Sequence, residues 1–357
     1  MRIAQVSPLY ESVPPKLYGG TERVVSYLTE ELVAAGHQVT LFASGDSETS
    51  ASLVPITERS LRLDPDCIDQ FAHHFILIEH VFRRAREFDF IHFHIDYFHF
   101  PLSARAGVPH LTTLHGQLTL PDLVPLYRTY PDEPVVSISD AQREPLPWLN
   151  WVGTVYHGMP RNLLRFSPGP GSYLAFLGRI APEKRPDRAI EIARRVGIPL
   201  LMAAKVDRAD QQYFENEIRP LLDHGLVQFV GEVNEADKSE LLGNAAALLF
   251  PIDWPEPFGL VLIEAMACGT PVVAFRRGSV PEIIDEGISG CIVEDVDEAV
   301  EAVFRAVKLD RATCRRAFEE RFTAARMARD YLELYRKGID GVSGSEGRVA
   351  MSGTSSP

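Results

Sequence analysis

Apolar positions along the chain fall into two alternating rhythms: short apolar runs, then stretches in which apolar residues recur every three or four positions. Residues 3–7 read as a first strand, and residues 20–35 as a helix with Val24, Val25, Leu28, Leu32 and Val33 on one face and Gly36 at its end. Residues 38–43 read as a second strand, 71–86 as a helix, and 90–95, 111–114, 134–139 and 153–156 as further short strands. The stretch 161–172 contains Pro168, Gly169, Pro170 and Gly171, the composition of a linker. The alternation then restarts, with strands at 173–177, 199–203, 227–230, 247–251, 272–274 and 291–293. Helices are expected between them at 187–196, 210–224, 234–244 and 259–268. From 341 to 357 Gly and Ser dominate without periodicity, which predicts a disordered tail.

Strands alternating with helices predict parallel sheets wrapped by helices. Two such series joined by a Pro/Gly linker predict two doubly wound domains facing a central cleft. The carboxyl ends of the strands are where ligands would bind.

Composition narrows the class. The chain has 357 residues, 45% hydrophobic and 24% charged, as expected for two globular domains. A net charge of −13 argues against nucleic acid as a partner, since phosphate backbones select basic surfaces. Broad attraction to anionic lipid is disfavoured for the same reason. Cys67, Cys268, Cys291 and Cys314 follow neither a metal-ligand nor a disulfide spacing, which predicts a reducing compartment. The first residues read directly as a strand, and no run reaches the eighteen or so apolar residues of a membrane span. The expected location is the cytoplasm, with no transmembrane segment.

The most informative chemistry lies in Trp254-Pro255-Glu256-Pro257-Phe258-Gly259-Leu260, which runs on through Glu264 to Gly269-Thr270-Pro271. Pro255 and Pro257 hold the chain extended, Gly259 opens a helix, and Gly269 with Pro271 closes it. Leu262, Ile263, Met266 and Ala267 surround Glu264 with apolar positions. A buried carboxylate needs a hydrogen-bonding partner, and a sugar diol is a suitable one. A solvated Glu264 on an amphipathic helix is the plainer alternative, but few solvent-facing positions remain around it. The eight-residue offset between Glu256 and Glu264 spans roughly 12 Å at helical rise, about the distance from the sugar of a nucleotide-sugar to its ribose. The helix start between them, with the amides of Phe258, Gly259 and Leu260, favours a diphosphate.

Three loops at strand ends could add to this. Tyr18-Gly19-Gly20-Thr21-Glu22 follows the first strand and opens the first helix, and its glycines would let backbone approach an anion. Leu177-Gly178-Arg179-Ile180-Ala181-Pro182-Glu183-Lys184 carries two cations suited to phosphate, although such charges are often plain surface charges. Gly231-Glu232-Val233 with Lys238 could face a base, and carries little information alone.

Together these four elements, in this order, resemble the retaining glycosyltransferases of family 4, which have the GT-B fold of two Rossmann-like domains. The resemblance covers roughly residues 1–335. It implies an acceptor domain at 1–165 and a nucleotide-sugar donor domain at 166–322. It also implies a helix at 323–340, with its core at 324–337, that crosses back to the first domain. By the same resemblance Arg179 and Lys184 neutralise the diphosphate, and Glu256 faces the donor sugar with backbone contacts from Phe258, Gly259 and Leu260. Glu264 takes the ribose hydroxyls, Val233 and Lys238 lie near the base, and Gly19 and Gly20 reach phosphate from the first domain. His115, in Thr113-Leu114-His115-Gly116, matches the family's histidine near the reacting sugar. Pro257 departs from the pattern, standing where many members have Gly. The first domain matches loosely outside its loops, so the acceptor is poorly constrained.

His92, His94 and the nearby His99 invite a metal reading, but the segment reads as a strand ending at the ligand edge, and the family uses no protein-bound catalytic metal. His94 and Asp96 are expected to line the acceptor site instead. No G-x-S-x-G and no G-x-G-x-x-G after the first strand is present, which disfavours a hydrolase triad and a dinucleotide dehydrogenase. The expected activity is transfer of a hexose from a nucleoside diphosphate sugar, UDP-glucose first and GDP-mannose second. The acceptor would be a small molecule, a saccharide or a lipid, and neither cofactor nor catalytic metal is expected. The alternatives are a nucleotide-sugar epimerase or phosphorylase on the same fold, or a non-catalytic nucleotide-sugar sensor.

Overall fold

Strands covered on both faces by helices become near-continuous apolar runs, and both sheets of this protein are built from such strands. The computed structural model describes residues 1–16, 18–222 and 225–351. They form two units, one of Met1–Ile138, Arg143–Tyr156 and the chain from Ala324 onward, the other of Ser139–Gln142 and His157–Thr323.

In the first unit, strands β1 (Arg2–Val6), β2 (Gln38–Ala43), β3 (Ser52–Pro55), β4 (Phe90–Phe93), β5 (His110–Thr113), β6 (Val135–Ser137) and β7 (Trp151–Thr154) make one sheet. Its order is β3-β2-β1-β4-β5-β6-β7, and every neighbouring pair is parallel. Helices α1 (Gly20–Ala34), α2 (Gln70–Arg83), α3 (Phe100–Ala106) and α4 (Leu123–Thr129) connect the strands. Helix α1 forms because Val24, Val25, Leu28 and Leu32 share a stripe, and all four are buried. Helix α2 is capped by Asp69, whose Oδ1 accepts from the amides of Phe71 (2.9 Å) and Ala72 (3.3 Å). The strand order reverses between β1 and β4, so the loops leaving their carboxyl ends diverge there, the place where such sheets bind ligands.

The second unit repeats the plan. Strands β8 (Tyr173–Arg179), β9 (Leu200–Lys205), β10 (Val227–Gly231), β11 (Ala245–Phe250), β12 (Val272–Phe275) and β13 (Gly290–Val293) make an all-parallel sheet in the order β10-β9-β8-β11-β12-β13. Its helices are α5 (Pro186–Val196), α6 (Gln211–Tyr213), α7 (Glu235–Gly243), α8 (Leu260–Cys268), α9 (Val280–Ile283), α10 (Val296–Ala306) and α11 (Arg311–Arg321). Leu174, Phe176, Ile190, Met202, Leu249, Val273 and Val303 share one core. The reversal falls between β8 and β11, and the Arg179 and Glu256 loops leave those two strands.

The last helix, α12 (Ala324–Met351), belongs to the first unit. It inserts Tyr331 and Tyr335 fully into that unit, with Tyr335 stacked on Phe90 at 4.6 Å between ring centroids. Gly338 permits the close approach, since a Cβ there would lie 2.7 Å from the Phe90 ring.

Several elements differ from the sequence reading. Helix α12 runs to Met351, so the tail expected from Gly341 is helical through that residue. A packed first half has already nucleated the helix, and propagation is then cheap. Residues 352–357 lie outside those described. The linker stretch packs onto the second unit. Arg165 donates its amide to Ser239 Oγ (2.9 Å), Ser167 donates to the Cys268 carbonyl (3.0 Å), and a Cβ on Gly171 would lie 1.9 Å from the Ala246 amide. The helix expected over 210–224 is broken into α6, a π turn at Phe214–Ile218 and a 3-10 turn at Arg219–Leu221. Pro220, which lacks an amide proton and crowds the preceding turn, accounts for the break. Asp223 and His224 lie outside the described residues. Strand β3 and helices α3, α4, α9, α10 and α11 appear where no element was read.

Candidate active site

Glu256 sits in the loop from β11 to α8, pinned from two sides. Ser279 donates its amide to the Glu256 carbonyl (3.0 Å) and its hydroxyl to the Phe258 carbonyl (2.9 Å), so one buried serine braces the turn at two points. Gly278 lies flat against it, with φ of 54°, and a Cβ there would come within 2.4 Å of the Glu256 carbonyl oxygen. The carboxylate is set by Lys184 and Trp254. Lys184 Nζ bonds Glu256 Oε2, Trp254 Nε1 donates to the same oxygen at 3.0 Å, and the ammonium stands 4.7 Å from the Trp254 ring centroid.

Lys184 ends the 3-10 turn Pro182–Lys184. The Asp253 amide donates to the Glu183 carbonyl at 2.9 Å and stitches this turn to the Glu256 loop. Arg185 follows in a left-handed conformation, φ 50°, with its guanidinium on Asp187 (2.7 Å) and Asp253 (3.2 Å).

Helix α8 begins after Gly259, whose φ of 81° suits glycine, and ends at Gly269, φ 77°. The bracketing glycines stand where the sequence put them. Glu264 lies on the second turn of α8 and is 8% exposed, buried as read. Its partner is a protein cation: Lys238 Nζ bonds Glu264 Oε1 at 2.8 Å and Glu235 Oε1 at 3.1 Å. Lys238 comes from α7, which Asn234 caps by accepting the Asp237 amide at 3.0 Å. A buried ion pair needs both partners, because either charge left alone would be costly. Val233 is half-buried on the loop between β10 and α7, two residues after Gly231, φ 77°.

Arg179 ends β8 among carboxylates. It bonds Glu183 and lies 3.3 Å from Asp210 and 3.7 Å from Asp207, which also pairs with Lys205 at 3.0 Å. An anion reaching Arg179 would have to displace some of these contacts. The second unit thus brings together Lys184 with Glu256 and Lys238 with Glu264. It gives Arg179 a carboxylate surround that the sequence did not suggest.

In the first unit, Gly19 precedes α1, and a Cβ there would lie 2.7 Å from Pro15. Gly20 is the first residue of α1. Two residues on, Glu22 is buried, its Oε1 accepting the Glu11 amide at 3.3 Å, while Glu11 pairs with Arg62 at 2.8 Å. Burial, opposed by the amide bonds and reinforced by Glu11, pushes the Glu22 carboxyl from its ordinary 4.5 up to about 7. The folded protein therefore binds more protons there than the unfolded chain between those two values. Stability from this group is full below pH 4.5 and is lost as pH rises through about 7. Glu22→Gln is expected to remove that slope and to raise the thermal midpoint at pH 8 while leaving it near wild type at pH 4.5. The full gap corresponds to roughly 3 kcal/mol. Parallel thermal unfolding curves of the two proteins across this range would contradict it.

His115 follows β5, and Asp96 follows β4 with φ of 48°. Asp96 is half-buried and accepts the His115 amide. Desolvation outweighs that bond and raises its carboxyl to about 6. His94, the residue after β4, is buried (2% exposed) with Nε2 on Gln5 Oε1 (2.9 Å) and Nδ1 on His115 Nε2 (2.9 Å). His92 is equally enclosed, bonded to Tyr335 and Thr113 at 2.7 Å each. Among the described residues no group of three or more His, Cys, Asp or Glu could hold a metal ion.

Trp254, Gly278 and Ser279 carry roles around Glu256 that sequence reasoning did not assign. Trp254 lay inside the motif, so its indole N–H was visible as a potential donor. Ser279 and Gly278 come from beyond β12 and gave no local signal.

Comparison with known proteins gives consistent matches. The model for glycosyl transferases group 1 matches residues 166–322, and that for glycosyltransferase family 4 matches residues 18–143. A D-inositol 3-phosphate glycosyltransferase of Mycolicibacterium smegmatis is 30% identical over 158 residues, covering 43% of this chain and 36% of that protein. Its counterpart from Mycobacterium tuberculosis is 32% identical over 142 residues, 38% of this chain and 29% of that one. The chain thus spans about a third of the length of the curated relatives it matches. Among solved structures, a sucrose-phosphate synthase from Thermosynechococcus elongatus superposes with TM-score 0.79 at 19% identity, covering 95% of this chain and 99% of that one. AviGT4, a glycosyltransferase of avilamycin A biosynthesis, gives 0.73 at 23% identity over 95% and 98%. At these identities the likeness bears on fold alone.

Proposed function

The chain belongs to the group 1 glycosyltransferases of family 4 and has the GT-B fold, and on that premise we propose that it transfers a hexose from a nucleoside diphosphate sugar to an acceptor hydroxyl with retained anomeric configuration. UDP-glucose is the first donor candidate and GDP-mannose the second. The observation that carries the reading is the Lys184–Glu256–Trp254 constellation immediately before α8, with the Lys238–Glu264 pair along the same helix. A cation, a fixed carboxylate and a helix start are the groups a sugar diphosphate needs.

In the proposed reaction the bond between the anomeric carbon and the diphosphate oxygen breaks, and negative charge grows on the leaving group. Lys184, Arg179 and the α8 amides would stabilise that charge, the largest single contribution in many enzymes. The acceptor oxygen attacks from the face the diphosphate leaves, and its proton passes to a departing phosphate oxygen. Glu256 would hold the donor sugar's hydroxyls, Glu264 the ribose diol, and Val233 and Lys238 would lie beside the base. Gly19 and Gly20 would offer backbone to phosphate, and Glu22, neutral below about pH 7, would not repel it. His115 would stand near the reacting sugar, with Asp96 holding its backbone. No protein-bound metal enters this scheme.

Hydrolysis of UDP-, GDP- and ADP-sugars, followed by an acceptor screen with the preferred donor, tests the proposal. D-inositol 3-phosphate, named in the relatives' activity, heads the acceptors. NMR of the product should show the donor's anomeric configuration retained. Inversion would sink the mechanism. Turnover without an acceptor, or with inorganic phosphate alone, would favour an epimerase or a phosphorylase. Tight nucleotide binding without turnover would favour a sensor.

A further inference from the structure

Helix α2 breaks the usual amphipathic pattern at one end. Its buried stripe is His74, Leu77, Ile78 and Val81, so its other side should be polar. The last outward positions obey, with Glu79, His80 and Arg83 exposed. The first two turns do not, because Phe71, Ala72, Phe75 and Ile76 are exposed there. Phe71 is 57% exposed and Phe75 70%, and Ile68, just before the Asp69 cap, lies almost wholly in solvent. Large apolar side chains gathered in water mark a binding surface.

This apolar end is joined to the residues around Asp96. Asp96 starts the run Asp96-Tyr97-Phe98, and Phe98 packs edge-on against Phe71 at 5.7 Å between ring centroids. Phe98 also meets His74 at 5.5 Å, and His74 meets Tyr10 at 4.8 Å. Tyr10 in turn stands within reach of the Asp96 charge: burial, and then that carboxyl, raise its hydroxyl above the ordinary 10. His74 fastens the row. Its Nε2 accepts the Leu9 amide at 3.2 Å and its Nδ1 donates to the Gln70 carbonyl at 2.8 Å. An amide N–H only donates and a carbonyl only accepts, so the ring is neutral and both nitrogens are used. Burial, which pushes His74 below its ordinary 6.5, favours that form. The loop after β1 is thereby held on α2. Rings follow one another from Asp96 to the exposed Phe71, with Phe75 one helical turn further.

We propose that the acceptor carries an aliphatic chain, which lies along Phe98, Phe71 and Phe75 while its reacting hydroxyl stands at Asp96 and His115. This rests on the reading of Asp96 and His115 as acceptor-side residues, and continuity with them selects the occupant. A membrane surface would call for apolar groups along the whole outer side of α2, and its polar second half does not offer them. A phosphate or a bare sugar would leave the rings in water. Phe71 to Ile76 spans roughly 8 Å at helical rise, longer than one aromatic ring, so a chain fits the strip better than an aryl group.

The test uses the full chain, the preferred donor, and n-alkyl β-D-glucopyranosides from methyl to octyl below their micelle concentrations. Full burial of a methylene is worth about 4-fold in affinity, and an open strip covers about half of it, so about 2-fold per methylene is expected. Acceptor KM should then fall about 10- to 100-fold from methyl to octyl. In the double variant Phe71→Ser, Phe75→Ser that dependence should flatten. It should persist in Phe304→Ser, which removes an exposed ring on α10. Both α2 rings are mostly exposed, so the fold should survive, and thermal unfolding checks this. Saturation-transfer NMR should show magnetisation passing from the protein to the octyl chain, and losing it in the double variant.

Transfer whose acceptor KM ignores chain length overturns the proposal and leaves the transferase reading standing. If no glucoside accepts the sugar, the NMR signal decides: absent in the wild type, or unchanged in the double variant, it overturns the proposal. Failure of every donor to turn over removes the transferase reading instead, and the same signal still decides whether the strip binds a chain. A dimer, or binding to phosphatidylcholine vesicles, that the double variant abolishes while KM ignores chain length gives the strip to a second copy or a membrane and also overturns the proposal.

Discussion

Lys184→Ala is expected to lower kcat/KM for transfer by about 10²-fold or more, because it deletes charge stabilisation that grows as the diphosphate departs. Lys184 Nζ is held by Glu256 and by the face of Trp254 before any ligand arrives, so little ordering is needed when the donor binds. Arg179→Ala should fall in the same range for a further reason. It would leave Glu183, Asp207 and Asp210 without the guanidinium that now sits among them, and a diphosphate would meet their charge directly. Steady-state kinetics at saturating acceptor decide the matter, with circular dichroism as a control on folding. Near-normal turnover in both variants would remove the phosphate-clamp assignment.

Local signals in the sequence located this region well and its partners poorly. Gly259 and Gly269 bracket α8 where a positive φ is needed, so the helix could be delimited by reading alone. The apolar neighbours of Glu264 made its burial legible. Its partner was not, because Lys238 comes from a different helix twenty-six positions earlier in the chain. The two-point brace by Ser279 and the close approach of Gly278 escaped for the same reason, since nothing in a short window announces a contact across a sheet. The enclosure of His94 was not legible either, because it follows β4, which is buried along its whole length, so alternation does not separate inside from outside there. The doubly wound fold was readable because strand and helix periods alternate, whereas the break at Pro220 came inside a pattern that otherwise favoured one helix.

Glu256 and Glu264 should separate in their effects. Glu256→Gln keeps size and one hydrogen-bonding oxygen but removes the anion that Lys184 and Trp254 hold in place. It is expected to lower kcat strongly and to leave binding of free nucleoside diphosphate nearly unchanged, since the lost charge sits beside the sugar the diphosphate lacks. Glu264→Gln should instead weaken free nucleotide and intact donor alike, because both carry the ribose. Loss of a hydrogen bond to a charged group costs about 1.5–3 kcal/mol, or roughly 10- to 100-fold in affinity. Lys238 adds to this, because the substitution replaces its buried anionic partner at 2.8 Å with a neutral amide and leaves Glu235 as the remaining carboxylate. Thermal unfolding of the ligand-free variants measures that structural part separately. Calorimetry with nucleoside diphosphate on both proteins then measures the binding part. Lost nucleotide affinity in Glu256→Gln with none lost in Glu264→Gln would mean that the donor lies along α8 in the opposite direction, with its ribose at the start of the helix.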